Sequence, residues 1–176
     1  MKIIGLIPAR ANSKRIKGKN TKKLLGFPLI VWTIKSAKKI KDINDIYVST
    51  DDDAVIKICK KLNVKAPWKR PKRLCGSKST SEEAVIHFLN WYEKKFSKVD
   101  ALLLLQPTSP FRKKTSIENA IKIFKKNPTK SVVSFSPASD SKKNNFFFLN
   151  HKFKNTYKKK DISKFKVNGS IYISSP

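Results

Sequence analysis

The sequence predicts an α/β domain in which βαβ units surround a largely parallel sheet. Two observations carry this. Short, continuously apolar runs alternate with stretches of helical apolar period, and loops rich in Gly, Pro and polar residues separate them. The size agrees, since 176 residues with 39% hydrophobic content and eleven Phe suit one domain with a real core.

The first strand is expected over residues 2–7, ended by Pro8. Residues 9–23 are polar, basic and broken by Gly18, which reads as a loop. A first helix over 28–40 places Ile30, Ile34 and Ala37 on one face, with Pro28 near its first turn. A second strand at 46–49 runs into a helix capped by Asp51 or Asp52, with Val55, Ile58, Cys59 and Leu62 at core spacing. Residues 65–80 form a second long polar loop, in which Arg70-Pro71 stand behind a third strand position.

Thr80-Ser81-Glu82-Glu83 fits a capping box, with Thr80 as N-cap and Glu83 at N3. The helix it opens turns Val85, Phe88, Leu89 and Tyr92 inward. Residues 101–105 are apolar throughout, as a strand covered on both faces should be. A second capping box, Thr115 to Glu118, is expected to open a helix with Ile117, Ala120, Ile121 and Phe124 on its inner face. A fifth strand follows at 131–135 and a last one at 170–173. Between them, residues 138–166 are rich in Lys and Asn and carry the patch Phe146-Phe147-Phe148-Leu149. That block reads either as a disordered tail or as an extended arm burying its aromatic patch against a partner subunit.

No apolar run reaches about 18 residues, so no membrane-spanning helix is expected. MKIIGLIPAR lacks the long apolar region and cleavage site of a signal peptide, so a cytoplasmic protein with no membrane partner is expected. Cys59 and Cys75 lack zinc or redox spacing, and Cys59 reads as a buried structural thiol. The net charge of +28 suggests a polyanionic partner. Only five of the forty basic residues are Arg, however: Arg10, Arg15, Arg70, Arg73 and Arg112. Specific phosphate and base contacts favour the guanidinium fork, so a phosphate-bearing small substrate explains the five Arg better than a nucleic acid does.

In open α/β sheets, ligands bind at the carboxyl ends of the strands. Here those ends carry Pro8-Ala9-Arg10-Ala11-Asn12-Ser13-Lys14 with Lys17-Gly18-Lys19-Asn20, then Arg70-Pro71, then Gln106-Pro107-Thr108-Ser109-Pro110-Phe111-Arg112. The first loop suits an anionic triphosphate, although it is neither a P-loop nor a GxGxxG fingerprint. His87 and His151 read as structural or solvent-facing. Asp51, Asp52 and Asp53 read as helix-capping groups, with metal binding as the alternative.

At this point the residues match a family. IIGLIPARANSKRIKGKN resembles the signature of the acylneuraminate cytidylyltransferases, and further matches follow in order: VSTDD at 48–52, RP at 70–71, LLLQPTSPFR at 103–112, SVVS at 131–134 and NGSIYI at 168–173. Lys19-Asn20 separates the sequence from the related Kdo enzymes, which usually have Lys-Pro there. The resemblance covers essentially the whole chain. It implies a Rossmann-like, three-layer α/β/α nucleotide-diphospho-sugar transferase fold, as a single domain over 1–176 with a dimerisation arm at 138–166.

The implied reaction transfers CMP from CTP to the anomeric hydroxyl of a nine-carbon sugar acid, with Mg²⁺ as cofactor and a homodimer as the working unit. By resemblance, Arg10 and Lys19 are catalytic and hold the phosphates. Ala9, Asn12, Ser13, Asn20, Arg70 and Ser81 complete the nucleotide site. Gln106, Thr108, Ser109, Arg112, Asn168 and Gly169 border the sugar acid. Three departures stand beside this. Ser77 replaces an Asp usual in the family, Lys166 stands where an Arg is common, and the sequence ends at Pro176, whereas members continue through an Asp-x-Asp metal motif and a final helix. No metal ligand is identifiable by match. The alternatives are a truncated or degenerate paralogue that binds nucleotide with little turnover and, from another class, a basic nucleic-acid-binding module.

Overall fold

The run Ile3-Ile4-Gly5-Leu6-Ile7 leads into Pro8, which lacks an amide hydrogen and closes the strand it forms. In the computed structural model, which describes residues 1–13, 15–76, 79–137, 145–149 and 165–176, this run is β1 (Ile3–Pro8), a central strand. There follow β2 (Lys23–Leu24), β3 (Phe27–Pro28), α1 (Leu29–Lys38), β4 (Asp45–Ser49), α2 (Asp53–Lys61) and α3 (Ser81–Lys95). The chain continues through β5 (Ala101–Leu104), α4 (Lys114–Lys126), β6 (Ser131–Pro137), β7 (Asn145–Leu149) and β8 (Phe165–Ser174).

The main sheet has the order β4-β1-β5-β8-β6-β7. β4 and β5 flank β1 in parallel, whereas β8 lies antiparallel to both β5 and β6. Two reversals cancel, so β6 again runs with β1, and four of the six strands share one direction. The pleat divides the apolar residues between two faces. Ile3, Ile7, Ala101 and Leu103 pack under α1, α2 and α4, while Ile4, Leu6 and Leu102 meet α3. This is the expected three-layer α/β/α arrangement. One helix covers the second face, and large rings extend its reach: Trp68 and Trp91 lie 4.3 Å apart by centroid, Tyr47 and Phe88 5.2 Å.

Most elements stand where the sequence places them. Asp52 caps α2 by accepting from the backbone N–H of Ala54 and Val55, and Thr80 with Glu83 forms the expected capping box on α3. Cys59 is buried, and burial pushes its thiol up to about 11, away from reactivity. No helix among the described residues is long and apolar enough to cross a membrane.

The expected capping box at Thr115 does not form. α4 starts at Lys114 behind Lys113, which makes no side-chain cap, and Glu118 instead pairs with Lys114 at 3.4 Å. With the helix begun two residues earlier than a Thr115 cap requires, Thr115 lies inside the first turn, where its hydroxyl has no free N3 amide to accept from. The third strand position also fails to become a strand. Lys65 and Lys69 make only isolated bridges to Tyr47 and Thr50. Inside the expected 9–23 loop, the β2–β3 hairpin begins at Lys23, turning through Leu25 and Gly26 at positive φ.

Of the block 138–166, residues 138–144 and 150–164 lie outside the described residues, as do Ser77 and His151. Residues 145–149 form β7 on β6, and residues 165–166 begin β8, which runs well ahead of its expected start at 170. β8 carries a bulge against β6 between Val133 and Phe135. There the buried Ser134 hydroxyl accepts from Ile171 N–H at 2.8 Å and so takes the place of a ladder carbonyl.

Candidate active site

The carboxyl ends of β1 and β5 open into a cleft of about 230 Å³. Arg10, Ser13, Lys19, Asn20, Arg70, Ser81, Gln106 and Thr108, all expected site residues, line it. Residues separated by up to about a hundred positions therefore converge because parallel strands deliver their loops to one edge.

Arg10 and Arg70 are each held in place by hydrogen bonds to the chain around them. Thr50 and Ala9 begin the arrangement: Ala9 N–H donates to Ser49 O at 2.8 Å, and the Thr50 hydroxyl donates to Ala9 O at 2.6 Å. Asp51 accepts from Ala11 N–H at 2.7 Å and fixes the turn that follows. Arg10 then projects across the cleft, its Nη1 donating to Gly76 O at 2.6 Å and to Ser79 O at 3.4 Å. The buried Asn20 amide donates to Arg10 O at 3.0 Å, so Asn20 positions the Arg10 backbone from inside.

Gly18, at φ +63°, makes the turn that returns the chain to the cleft, and its carbonyl accepts from the Thr21 hydroxyl at 2.9 Å. That turn leaves Lys19 beside Arg10 and Arg15. Desolvation, together with these two cations, lowers the Lys19 pKa from 10.5. Arg70 is 5% exposed and donates from Nε to Ser49 Oγ at 2.9 Å and from Nη2 to Ser49 O at 2.5 Å. Burial lowers its pKa as well. Positive groups gathered without a carboxylate among the described lining residues make a receptor for an anion.

Several expected site residues stand behind the cleft rather than in its lining. Ala9 is 1% exposed with both backbone groups committed, and Asn12 is exposed outside the cleft. Ser109 closes a turn on Gln106 O at 3.3 Å. Asn168 accepts from the Ser134 hydroxyl at 2.6 Å and donates to Ser136 at 2.9 Å, which places it inside the sheet. Arg112 is 7% exposed and has no carboxylate partner among the described residues. It donates to Ser170 O and Gln106 O, both at 2.8 Å, and ties the turn after β5 to β8.

Gly169 supports the cleft indirectly. Its φ is +70°, and a Cβ there would stand 3.0 Å from Gln106 Oε1. Gly169→Ala is expected to cost about 1–2 kcal/mol in the left-handed backbone and to push Gln106 out of place. Denaturant melts read the first effect and ligand binding in the cleft the second. A variant with wild-type values in both refutes the role.

Sequence reasoning missed Pro8, Ser79, Thr80 and Pro107 in the lining. The capping box was the available signal. The helix opened by that box puts its N-terminal residues Thr80 and Ser81 in the lining, and a helix N-terminus favours negative charge. Of Asp51, Asp52 and Asp53, all expected as helix caps, only Asp52 caps α2; Asp51 accepts from Ala11 N–H in the first loop, and Asp53 pairs with Lys69 at 2.7 Å. No group of His, Cys, Asp and Glu among the described residues gathers to hold a metal.

Comparison with known proteins agrees with this geometry. The family described as cytidylyltransferase matches residues 4–174. A CMP-N,N'-diacetyllegionaminic acid synthase of Legionella pneumophila is 42% identical over 79% of this chain and 60% of its own length. An N-acylneuraminate cytidylyltransferase of Escherichia coli is 31% identical over 99% of the chain and 42% of its own length. A pseudaminic acid cytidylyltransferase of Campylobacter jejuni is 33% identical over 74% of the chain and 56% of its own length. The chain thus spans about half the length of these relatives. A CMP:2-keto-3-deoxy-manno-octonic acid synthetase solved with CTP shares the fold at TM-score 0.67 and 17% identity, over 99% of this chain and 74% of that one. With the motifs in order, the fold matched end to end and the family profile covering nearly every residue, this chain belongs to the cytidylyltransferase family.

Proposed function

We propose that the cleft binds CTP and that the chain transfers CMP to the anomeric hydroxyl of a sialic-acid-like nonulosonic acid. The hydroxyl oxygen bonds to the α-phosphorus, the bond to the β-phosphate bridging oxygen breaks, and pyrophosphate leaves while the hydroxyl proton passes to solvent. The observation that carries this reading is the meeting of Arg10 and Lys19 with Gln106 in one cleft. The names of the relatives support the acceptor class.

In this reading Arg10 and Lys19 grip the phosphates and offset charge as pyrophosphate departs, since fixed cations dominate catalysis of such transfers. Asn20, Arg70 and Ser81 hold the nucleotide, and Gln106 with Thr108 faces the acid. Arg112, Asn168 and Gly169 position these groups from behind. Mg²⁺ belongs to the family expectation, but the described lining offers it no carboxylate, so the roles proposed here rest on the cations of the chain. A homodimer through the 138–166 segment and a cytoplasmic setting are parts of the same proposal, and light scattering after size exclusion tests the first.

The test is pyrophosphate release with CTP, Mg²⁺ and separate sialic, legionaminic and pseudaminic acids. Release with one acid supports the reading and names the acceptor. CTP binding without release from any acid supports a nucleotide-binding paralogue instead.

A pH prediction follows from Lys19. Its folded pKa lies below 10.5, so the ammonium that attracts phosphate is lost earlier in an alkaline titration than for an ordinary lysine. CTP affinity is therefore full at neutral pH and weakens as pH rises through that lowered pKa. Lys19→Arg should move the decline to higher pH in a calorimetric titration. An unchanged profile would detach Lys19 from the phosphates.

A further inference from the structure

Among the described helices, lysines are not spread evenly over the two faces of the sheet, although Lys2 and Lys65 add to the α3 side over the rings of Tyr92 and Tyr47. On the face covered by α1, α2 and α4, the helices carry Lys35, Lys38, Lys57, Lys60, Lys61, Lys114, Lys122, Lys125 and Lys126 against only Asp53 and Glu118. On the other face, α3 carries Lys94 and Lys95 against Glu82, Glu83 and Glu93. Both carboxylates of the basic layer are already neutralised, Asp53 by Lys69 and Glu118 by Lys114. The layer is continuous: Lys38 donates to Leu62 O at the end of α2, and Lys125 pairs with Asp42 in the turn after α1. A uniform lysine excess from composition would load both faces alike. Stabilisation of helix ends explains the last-turn lysine pairs on every helix and Glu82 and Glu83 in the first turn of α3, but not Lys57 or Lys122.

We propose that the α1–α2–α4 layer is a docking face for an anionic lipid bilayer. None of the five arginines lies on these helices; Arg10 and Arg70 line the cleft. The guanidinium fork is thus kept for discrete phosphate recognition, while the outer face carries flexible point charges. Side-by-side helices present a broad surface of ammonium groups that suits a planar array of headgroups better than a groove. Docking through this layer leaves the cleft open, because the cleft lies at the edge of the sheet where the strands end. It requires no spanning helix, and it reverses the expectation from composition that no membrane is involved.

Sedimentation with phosphatidylcholine vesicles, with and without about 30 mol% phosphatidylglycerol, tests this at about 50 and 500 mM salt. The protein is expected to bind only the anionic vesicles, and only at low salt. The key comparison is between two triple charge reversals of equal size. Lys57, Lys60 and Lys122→Glu changes exposed lysines of the basic layer that form no ion pair among the described residues. Lys94, Lys95 and Lys98→Glu changes the α3 side.

The first set should lose at least about a hundredfold in partitioning, as removal of three surface ammonium charges alone implies, and the second less than about threefold. Lys→Gln versions of both sets, checked by circular dichroism, cover any folding defect of the Glu sets. Equal losses would reduce the effect to net charge and overturn the proposal. So would equal binding to both vesicle types or no binding to anionic vesicles. Random duplex DNA that displaces the protein from vesicles, with binding lost in the first set alone, would assign the face to nucleic acid instead.

Discussion

Arg10→Ala is expected to remove roughly 2–4 kcal/mol of transition-state stabilisation, about 30- to 1000-fold in turnover of CTP. The guanidinium stands in the cleft with its backbone held by Asn20 and its Nη1 on Gly76 O and Ser79 O. Those are neutral carbonyls on a loop. A phosphate is the stronger acceptor, so the ion can exchange one for the other as substrate enters. The side chain also anchors the loop at Gly76, and the two roles separate experimentally. Loss of a loop contact alone would lower the melting temperature and leave the rate per folded molecule intact. Loss of a charge on the departing pyrophosphate lowers the rate whatever the melting temperature. Arg10→Lys should restore part of the rate, because it keeps the charge without the fork. Undiminished turnover in Arg10→Ala would remove this residue from the mechanism.

Arg112→Ala is expected to destabilise the fold by about 3 kcal/mol, measured by denaturant unfolding. Two opposing terms set that figure. Burial depresses the Arg112 pKa from 12.5 to about 10. Below about pH 10 the folded state therefore carries a penalty, relieved only as pH climbs from there toward 12.5, and its size is about 3 kcal/mol. Removing the side chain abolishes that penalty. It also strands the carbonyls of Gln106 and Ser170, at about 1–3 kcal/mol each, and empties the space filled by the arginine stem. The second group of losses is the larger. Because Gln106 stands at the end of this tie, affinity for the sugar acid should fall along with stability. A variant as stable as wild type would show that the two strands hold together without the clamp.

Much of this was legible from the chain. The continuous apolar run at 101–105 announced a strand covered on both faces, and β5 proved so, because a strand between two helical layers has no polar side to display. Capping chemistry located α2 and α3 for a similarly local reason, since Asp52 and Thr80 satisfy amides only two or three residues away. The cationic loops were legible as well, because strand ends in such a sheet gather on one rim.

What lay beyond the sequence involves partners distant in the chain. Asn168 and Arg112 belong to motifs that suggest substrate contact, yet the fold spends them on Ser134, Ser136, Ser170 and Gln106. Only the insertion of β8 between β5 and β6 creates those neighbours. The charge difference between the two faces is likewise invisible along the chain, because crossover connections assign α1, α2 and α4 to one side and α3 to the other. Local pattern therefore determined most of the helices and the buried strands, and which loops gather the cations. Tertiary structure alone decided which polar side chains face the cleft and which hold it from behind, because that choice depends on the hydrogen-bonding groups that strand order brings within about 3 Å.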